Sequence, residues 1–294
     1  MSIFTGAGVA LITPFKEDLS VDYDQLEKVI DFQIQEGTDS IIICGTTGEA
    51  STMTHDEQIE VVKACVDHVN GRVPVIAGAG ANCTDEALHL AKEAQRVGSD
   101  ALLVVTPYYN KATQNGLVEY YKTIGNAVDV PIIMYNVPGR TGTNIAPKTA
   151  AKVFKEVENV VAIKEASGNL SQVADIAYET EGQLDIYSGN DDQVLPVLSL
   201  GGKGVISVLS NIAPKVTHEM VAKYLAGDVK GSTELQIKYL DVIHKLFTEV
   251  NPVPVKRAMA ELGYCRDLLR RPLTEMEESN AKELIAAMKE VHIL

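Results

Sequence analysis

Positive charge is what this chain has least of. Its 26 Lys and Arg stand against 40 Asp and Glu, a formal net charge of −14. A field of that sign disfavours nucleic acid and anionic membranes as partners. It leaves room for a small anionic substrate, because a few local cations override the global field. Cysteine is also sparse: Cys44, Cys65, Cys83 and Cys265 form no C-x-x-C pair and no zinc spacing. They read as free thiols of a reducing cytoplasm. The six histidines include no H-E-x-x-H pattern, so no metal is expected. No apolar run reaches the ~20 residues that span a bilayer. The opening stretch MSIFTGAGVALITPF lacks a basic region and a cleavage site. A cytoplasmic protein is expected. Pro/Ser-rich linkers and low-complexity tracts are missing too, so nothing demands a second core.

The 294 residues, 46% of them apolar, can bury a sizeable core and suit one α/β barrel. The dominant pattern is an alternation. Eight short apolar runs, at 8–14, 40–45, 73–80, 101–107, 131–138, 160–167, 184–190 and 204–211, are each followed by a longer, helix-like segment. The runs are rich in Val and Ile and apolar on both faces, as in a buried parallel sheet. Segment 57–69 carries one apolar stripe, and 84–98 is expected to open on Thr84 as N-cap and close on Gly98. Eight equal βα units without a crossover signal predict a closed (β/α)8 TIM barrel rather than an open doubly wound sheet. Beyond residue 211 only helices are expected, over 214–226, 229–249, 252–262 and 275–292. The predicted organisation is a barrel over 1–226 with a C-terminal helical region, 227–294, packed on it.

Chemistry in such barrels lies at the C-terminal ends of the strands. Lys164 follows Val160-Val161-Ala162-Ile163 and by period-2 alternation shares the face of Ala162, pointing into the barrel. An ammonium withdrawn from water gives up its proton more easily, and the neutral amine can attack a ketone. Alone, Lys164 reads better as a snorkelling lysine or a partner of Glu165. Tyr135 ends the preceding strand, where a phenol can shuttle protons; alone it would be an aromatic core plug. The loop Gly45-Thr46-Thr47-Gly48-Glu49 offers hydroxyls and amides at a strand-to-helix turn, able to hold a carboxylate; alone it would be a glycine-rich turn, and it lacks the Gly-Lys-Ser/Thr of a Walker loop. Arg140, in the loop 138–142, matches a carboxylate bidentately; alone it would be a solvated charge. Gly78-Ala79-Gly80 lacks the third glycine of a dinucleotide fingerprint at Cys83, so a nicotinamide oxidoreductase is set aside.

Taken together, GTTGEAST, VTPYYNK, YNVPGRTG, AIKEASGN, YSGND and GVISV, in this order along the chain, resemble the dihydrodipicolinate synthase family of pyruvate-dependent barrel lyases. The resemblance spans essentially the whole chain. It implies Lys164 as the Schiff-base lysine, and Tyr135, Thr46 and Tyr109 as a proton relay, with Tyr109 reaching in from a neighbouring subunit. It implies Thr47 as holder of the pyruvate carboxylate, Gly189 and Ile206 as keto-acid contacts, and Arg140 as the clamp for aspartate semialdehyde. No cofactor beyond the pyruvate imine on Lys164 is implied, and the assembly implied is a homotetramer of two dimers. Some members carry a lysine inhibitor site at the dimer interface. Ser51, His55, Asn82, Glu86 and Tyr108 fall near its positions here, but Ala50 and Gln58 replace a common Ser and a second His.

Two other readings compete. A sister lyase acting on N-acetylneuraminate or a keto-sugar acid would share Lys164, Tyr135 and the GTTGE loop; such enzymes generally lack Arg at the position of Arg140. A non-catalytic sensor of a keto acid or of lysine would have no need of a nucleophile.

Overall fold

The computed structural model describes residues 2–294. Strands β1 (Gly6–Ala10), β2 (Ser40–Ile43), β3 (Val75–Gly78), β4 (Ala101–Val105), β5 (Ile132–Asn136), β6 (Val160–Glu165), β7 (Asp185–Ser188) and β8 (Gly204–Ser207) close into one barrel in chain order. Every pairing is parallel, and β8 returns to β1 with Gly6 opposite Gly204 and Val9 opposite Ser207. The seam is tight: a Cβ on Gly204 would lie 1.8 Å from the Gly6 carbonyl oxygen, so only glycine lets the ring close there. The intervening helices are α1 (Tyr23–Gln35), α2 (His55–Val69), α3 (Thr84–Arg96), α4 (Gln114–Gly125), a single turn α5 (Pro138–Thr141), α6 (Pro147–Glu156), α7 (Leu170–Glu179) and α8 (Val194–Ser199). Helices α9 (Pro214–Leu225), α10 (Val229–Lys238), α11 (Leu240–Lys245), α12 (Val253–Glu261) and α13 (Glu278–Glu290) follow β8.

Strand parity sorts the core into layers. Ala10, Ile42, Ile76, Leu103, Ile133, Ala162, Tyr187 and Ile206 fill the interior, as barrel geometry requires. Phe4 closes its N-terminal end, stacked on Tyr187 at 4.3 Å and accepting that phenol's proton at its carbonyl oxygen, 2.6 Å away. The opposite faces of the strands pack against the helices. Val253, Val255 and Met259 of α12 and Leu284 and Met288 of α13 join the same apolar cluster as Val9, Leu26 and Ile30. The C-terminal helices therefore complete the outer shell.

Local differences from the sequence reading have physical causes. Helix α2 begins at His55, two residues ahead of the apolar stripe over 57–69, because Thr54 and Glu57 form a reciprocal capping box. Thr84 is already inside α3; Cys83 holds the N-cap without a side-chain bond. The expected helix over 229–249 breaks at Tyr239, which ends α10 and begins α11. No Gly or Pro marks that break. The buried Tyr239 ring belongs to the outer core, so packing sets the turn there. The loop expected around Arg140 is instead the helical turn α5.

Arg270 straps the C-terminal region to the barrel. Its guanidinium grips Glu57 through both carboxylate oxygens, at 2.8 and 3.0 Å, and donates to the Leu19 and Thr52 carbonyls. The Arg270 hydrogen bond holds the Glu57 carboxyl down at about 2. In the unfolded chain the same group protonates near pH 4.3. The strap therefore stabilises the fold fully above that value and fades as pH falls toward 2. Glu57→Gln should flatten the decline in stability between about pH 4.5 and 2, measured by urea denaturation; an unchanged slope would remove the strap from the acid response.

Candidate active site

Alternation along β6 sends Lys164 inward and Glu165 outward. Lys164 is buried at the C-terminal end of the barrel, its Nζ 4.3 Å from the centre of the Tyr135 ring. Tyr135 reaches that place from β5, where it is the register partner of Lys164. Glu165 does not pair with Lys164. It accepts hydrogen bonds from Asn136 Nδ2 at 2.9 Å, the Ser167 amide at 2.7 Å and Gln172 Nε2 at 3.1 Å. Those neutral donors satisfy a buried carboxylate and tie the ends of β5 and β6 together, which fixes Tyr135 against Lys164.

Room for the lysine comes from Gly189, just past β7. A Cβ there would meet Lys164 Cε at 3.1 Å and the Ala166 methyl at 2.6 Å. Asp191, two residues on, is buried and accepts from the Val208 and Leu209 amides at 3.0 and 2.9 Å. Burial pushes its carboxyl upward, while its hydrogen bonds and the Lys164 charge pull the other way.

The turn after β2 is held from outside the barrel. Glu49 adopts a left-handed conformation at φ 56°, uncommon for a residue with a side chain. Its carboxylate is fully buried, 2.6 Å from the equally buried Lys256 Nζ of α12. It also accepts from the Arg270 amide at 3.1 Å. Lys256 caps the Leu268 carbonyl at 2.7 Å and lies 3.8 Å over the Phe15 ring. Burial draws its ammonium below the ordinary value, against the opposing pull of Glu49. Thr47, on the same turn, is buried and accepts from Asn251 Nδ2 at 3.0 Å. Arg140 Nη2 donates to the Asn251 carbonyl at 3.3 Å.

At this rim lies a cavity of about 60 Å³, lined by Thr46, Thr47, Tyr135, Arg140, Lys164, Gly189, Phe247 and Asn251, among others. An adjoining cavity of about 270 Å³ shares Thr46, Tyr135 and Arg140 and extends to Ser51, His55, Gln58 and Tyr108. The remaining residues singled out from the sequence line neither cavity. Ile206 sits in the apolar interior of the barrel. Tyr109 is 88% exposed, with φ 74°, and lines neither cavity. Asn82 offers its carbonyl to Asn110 Nδ2 at 2.9 Å, and Glu86 is exposed on the first turn of α3. Gln58 is tied to the Ala50 carbonyl at 2.9 Å. Asn251 and Lys256 lie in the helical tail, away from the strand ends where a barrel sequence points to chemistry. The only hint was Asn-Pro interrupting two apolar helical segments.

Chemically, the cavity offers an amine shielded from bulk water, a phenol beside it, and a hydroxyl and a guanidinium nearby. That set suits attack on the carbonyl of a small carboxylate-bearing molecule. Among the described residues no three His, Cys, Asp or Glu side chains gather as metal ligands, and no helix is long and apolar enough to cross a membrane.

The chain is similar to known proteins along nearly its whole length. The model of the dihydrodipicolinate synthetase family matches residues 3–291. A 4-hydroxy-tetrahydrodipicolinate synthase of Lachnoclostridium phytofermentans is 59% identical over 294 residues, all of both chains. The crystal structure of dihydrodipicolinate synthase from Aquifex aeolicus superposes with a TM-score of 0.97 at 44% identity, covering 99% of each chain. That of the Cyanidioschyzon merolae protein, with lysine bound, gives 0.97 at 38% identity over the whole of both chains.

The buried Glu49–Lys256 pair invites a stability test. Lys256→Met should strand the Glu49 carboxylate and cost about 3–5 kcal/mol. Adding Glu49→Gln should recover much of that loss, read by thermal denaturation; equal stability of the single and double variants would refute the pairing.

Proposed function

The chain belongs to the dihydrodipicolinate synthetase family, and from that premise we infer that it condenses pyruvate with L-aspartate 4-semialdehyde to 4-hydroxy-tetrahydrodipicolinate, in diaminopimelate and lysine biosynthesis. The observation that carries this reading is the buried Lys164 amine against Tyr135, in a cavity that also presents Thr47 and Arg140.

The reaction divides among these residues. Lys164 Nζ attacks the ketone carbon of pyruvate, and the carbinolamine loses water to give an imine. The iminium withdraws electrons, so a methyl proton leaves and an enamine forms. Its terminal carbon bonds to the aldehyde carbon of the semialdehyde, whose oxygen takes a proton. The amino group of the joined substrate then attacks the imine carbon, releases the Lys164 amine and closes the ring. The imine is the electron sink, and no further cofactor is needed for these steps. Tyr135 and Thr46 carry protons. Thr47 and neighbouring amides hold the pyruvate carboxylate, Gly189 and Ile206 shape the space for the keto acid, and Arg140 clamps the carboxylate of the semialdehyde.

Tyr109 completes the relay from a neighbouring copy; its exposure in the single chain supports that role. The assembly is a homotetramer of two dimers. Exposed Leu170, Leu200 and Ile237, on or beside α8 and the helices α7 and α10 packed against it, support a second contact. The larger cavity, with Ser51, His55 and Tyr108 on its wall and Asn82 and Glu86 nearby, is an effector pocket. Free cysteines, three of them buried, fit a cytoplasmic protein.

Incubation with pyruvate and borohydride, followed by intact mass and peptide mapping, should give one reduced adduct on Lys164 and none in Lys164→Ala. A folded protein without adduct would end this reading. Arg140→Ala should keep the adduct while condensation falls by about 10- to 100-fold, the worth of a charge-assisted contact; an unchanged rate would remove the clamp.

A further inference from the structure

We propose that Asn251 is a positioning residue, whose side-chain amide turns the Thr47 hydroxyl proton toward the carboxylate of the keto acid. The inference rests on Thr47 being the holder of that carboxylate. Asn251 lies in the link between α11 and α12, 204 residues along the chain from Thr47, and is buried at the wall of the Lys164 cavity. Its Nδ2 donates to Thr47 Oγ1 at 3.0 Å, and its carbonyl accepts from Arg140 Nη2 at 3.3 Å. One residue thus touches both groups assigned to substrate carboxylates.

The donor inventory supplies the reason. A hydroxyl has one proton and two lone pairs, whereas an amide NH₂ only donates. Asn251 occupies a lone pair of Thr47, so the hydroxyl proton must point elsewhere. Thr47 lines the cavity, where an anion would meet that proton. The hydroxyl is thereby set as a donor before substrate arrives, the polarity a carboxylate requires. Aspartate at 251 would reverse the arrangement. It would accept the Thr47 proton, turn oxygen lone pairs toward the ligand and add a like charge, with almost no change of shape.

The test compares borohydride-trapped adduct in the full chain against rising pyruvate and, separately, rising pyruvamide, whose neutral amide both donates and accepts. Asn251→Asp should raise half-saturating pyruvate about tenfold or more and pyruvamide far less. Asn251→Ala should shift pyruvate by a smaller factor in the same sense, and carries the comparison if the Asp variant fails to fold. Equal shifts for both ligands would reduce Asn251 to packing. Parent-like saturation by pyruvate in a folded Asn251→Asp would show that Thr47 donates to Asn251, and would overturn the proposal. The parent adduct on Lys164 is the control: without it the keto-acid reading fails, not the role of Asn251.

Discussion

In a closed parallel barrel every strand ends on the same rim, and a side chain there has two directions available, into the ring or out against the helices. Closure itself hangs on the Gly6–Gly204 seam, where no Cβ can stand. Once the ring is shut, parity decides what each polar residue at a strand end can meet. Lys164 faces inward to Tyr135. Glu165, the next residue, faces a set of neutral amides. Two adjacent opposite charges are thus kept from neutralising each other, which leaves the amine available to a ligand.

Buried charge is expensive, and this molecule answers the expense in three ways. Glu49 has a full countercharge in Lys256. Glu165 has a ring of dipoles. Asp191 has two backbone amides and, at longer range, the lysine. Of the two buried lysines, Lys256 has a carboxylate within salt-bridge distance and Lys164 has none among the described residues, and Lys164 is the one that lines the smaller cavity. A buried lysine with a tight ion partner would be a poorer nucleophile, since its proton would be held.

The strands, their order and their closure were legible because buried parallel strands leave continuous Val/Ile runs, and eight such runs recur at nearly even spacing. Lys164 and Tyr135 could be found because period-2 alternation and the strand-end rule act locally. Less was legible where the cause lies far along the chain. The break at Tyr239 answers to packing rather than to a breaker residue, and the turn α5 replaces an expected loop. Cys83, not Thr84, caps α3, and does so by its extended backbone without a side-chain bond. Asn251 and Lys256 escaped for a similar reason: they act on a turn some two hundred residues earlier.

That distance has a consequence for how the chain comes into being. A polypeptide emerges from its N-terminus, and domains begin to organise before synthesis ends. The turn bearing Thr46, Thr47 and Glu49 belongs to the second βα unit and is made before the other six strands. The residues that lock it, Asn251, Lys256 and Arg270, are made some two hundred residues later, after the eighth strand. A nascent chain can therefore lay down all eight strands and still carry an unfinished turn, with Glu49 lacking its cation. Readiness of the turn waits on residues that follow the eighth strand, so a polypeptide halted there would hold a closed barrel around a turn still unlocked.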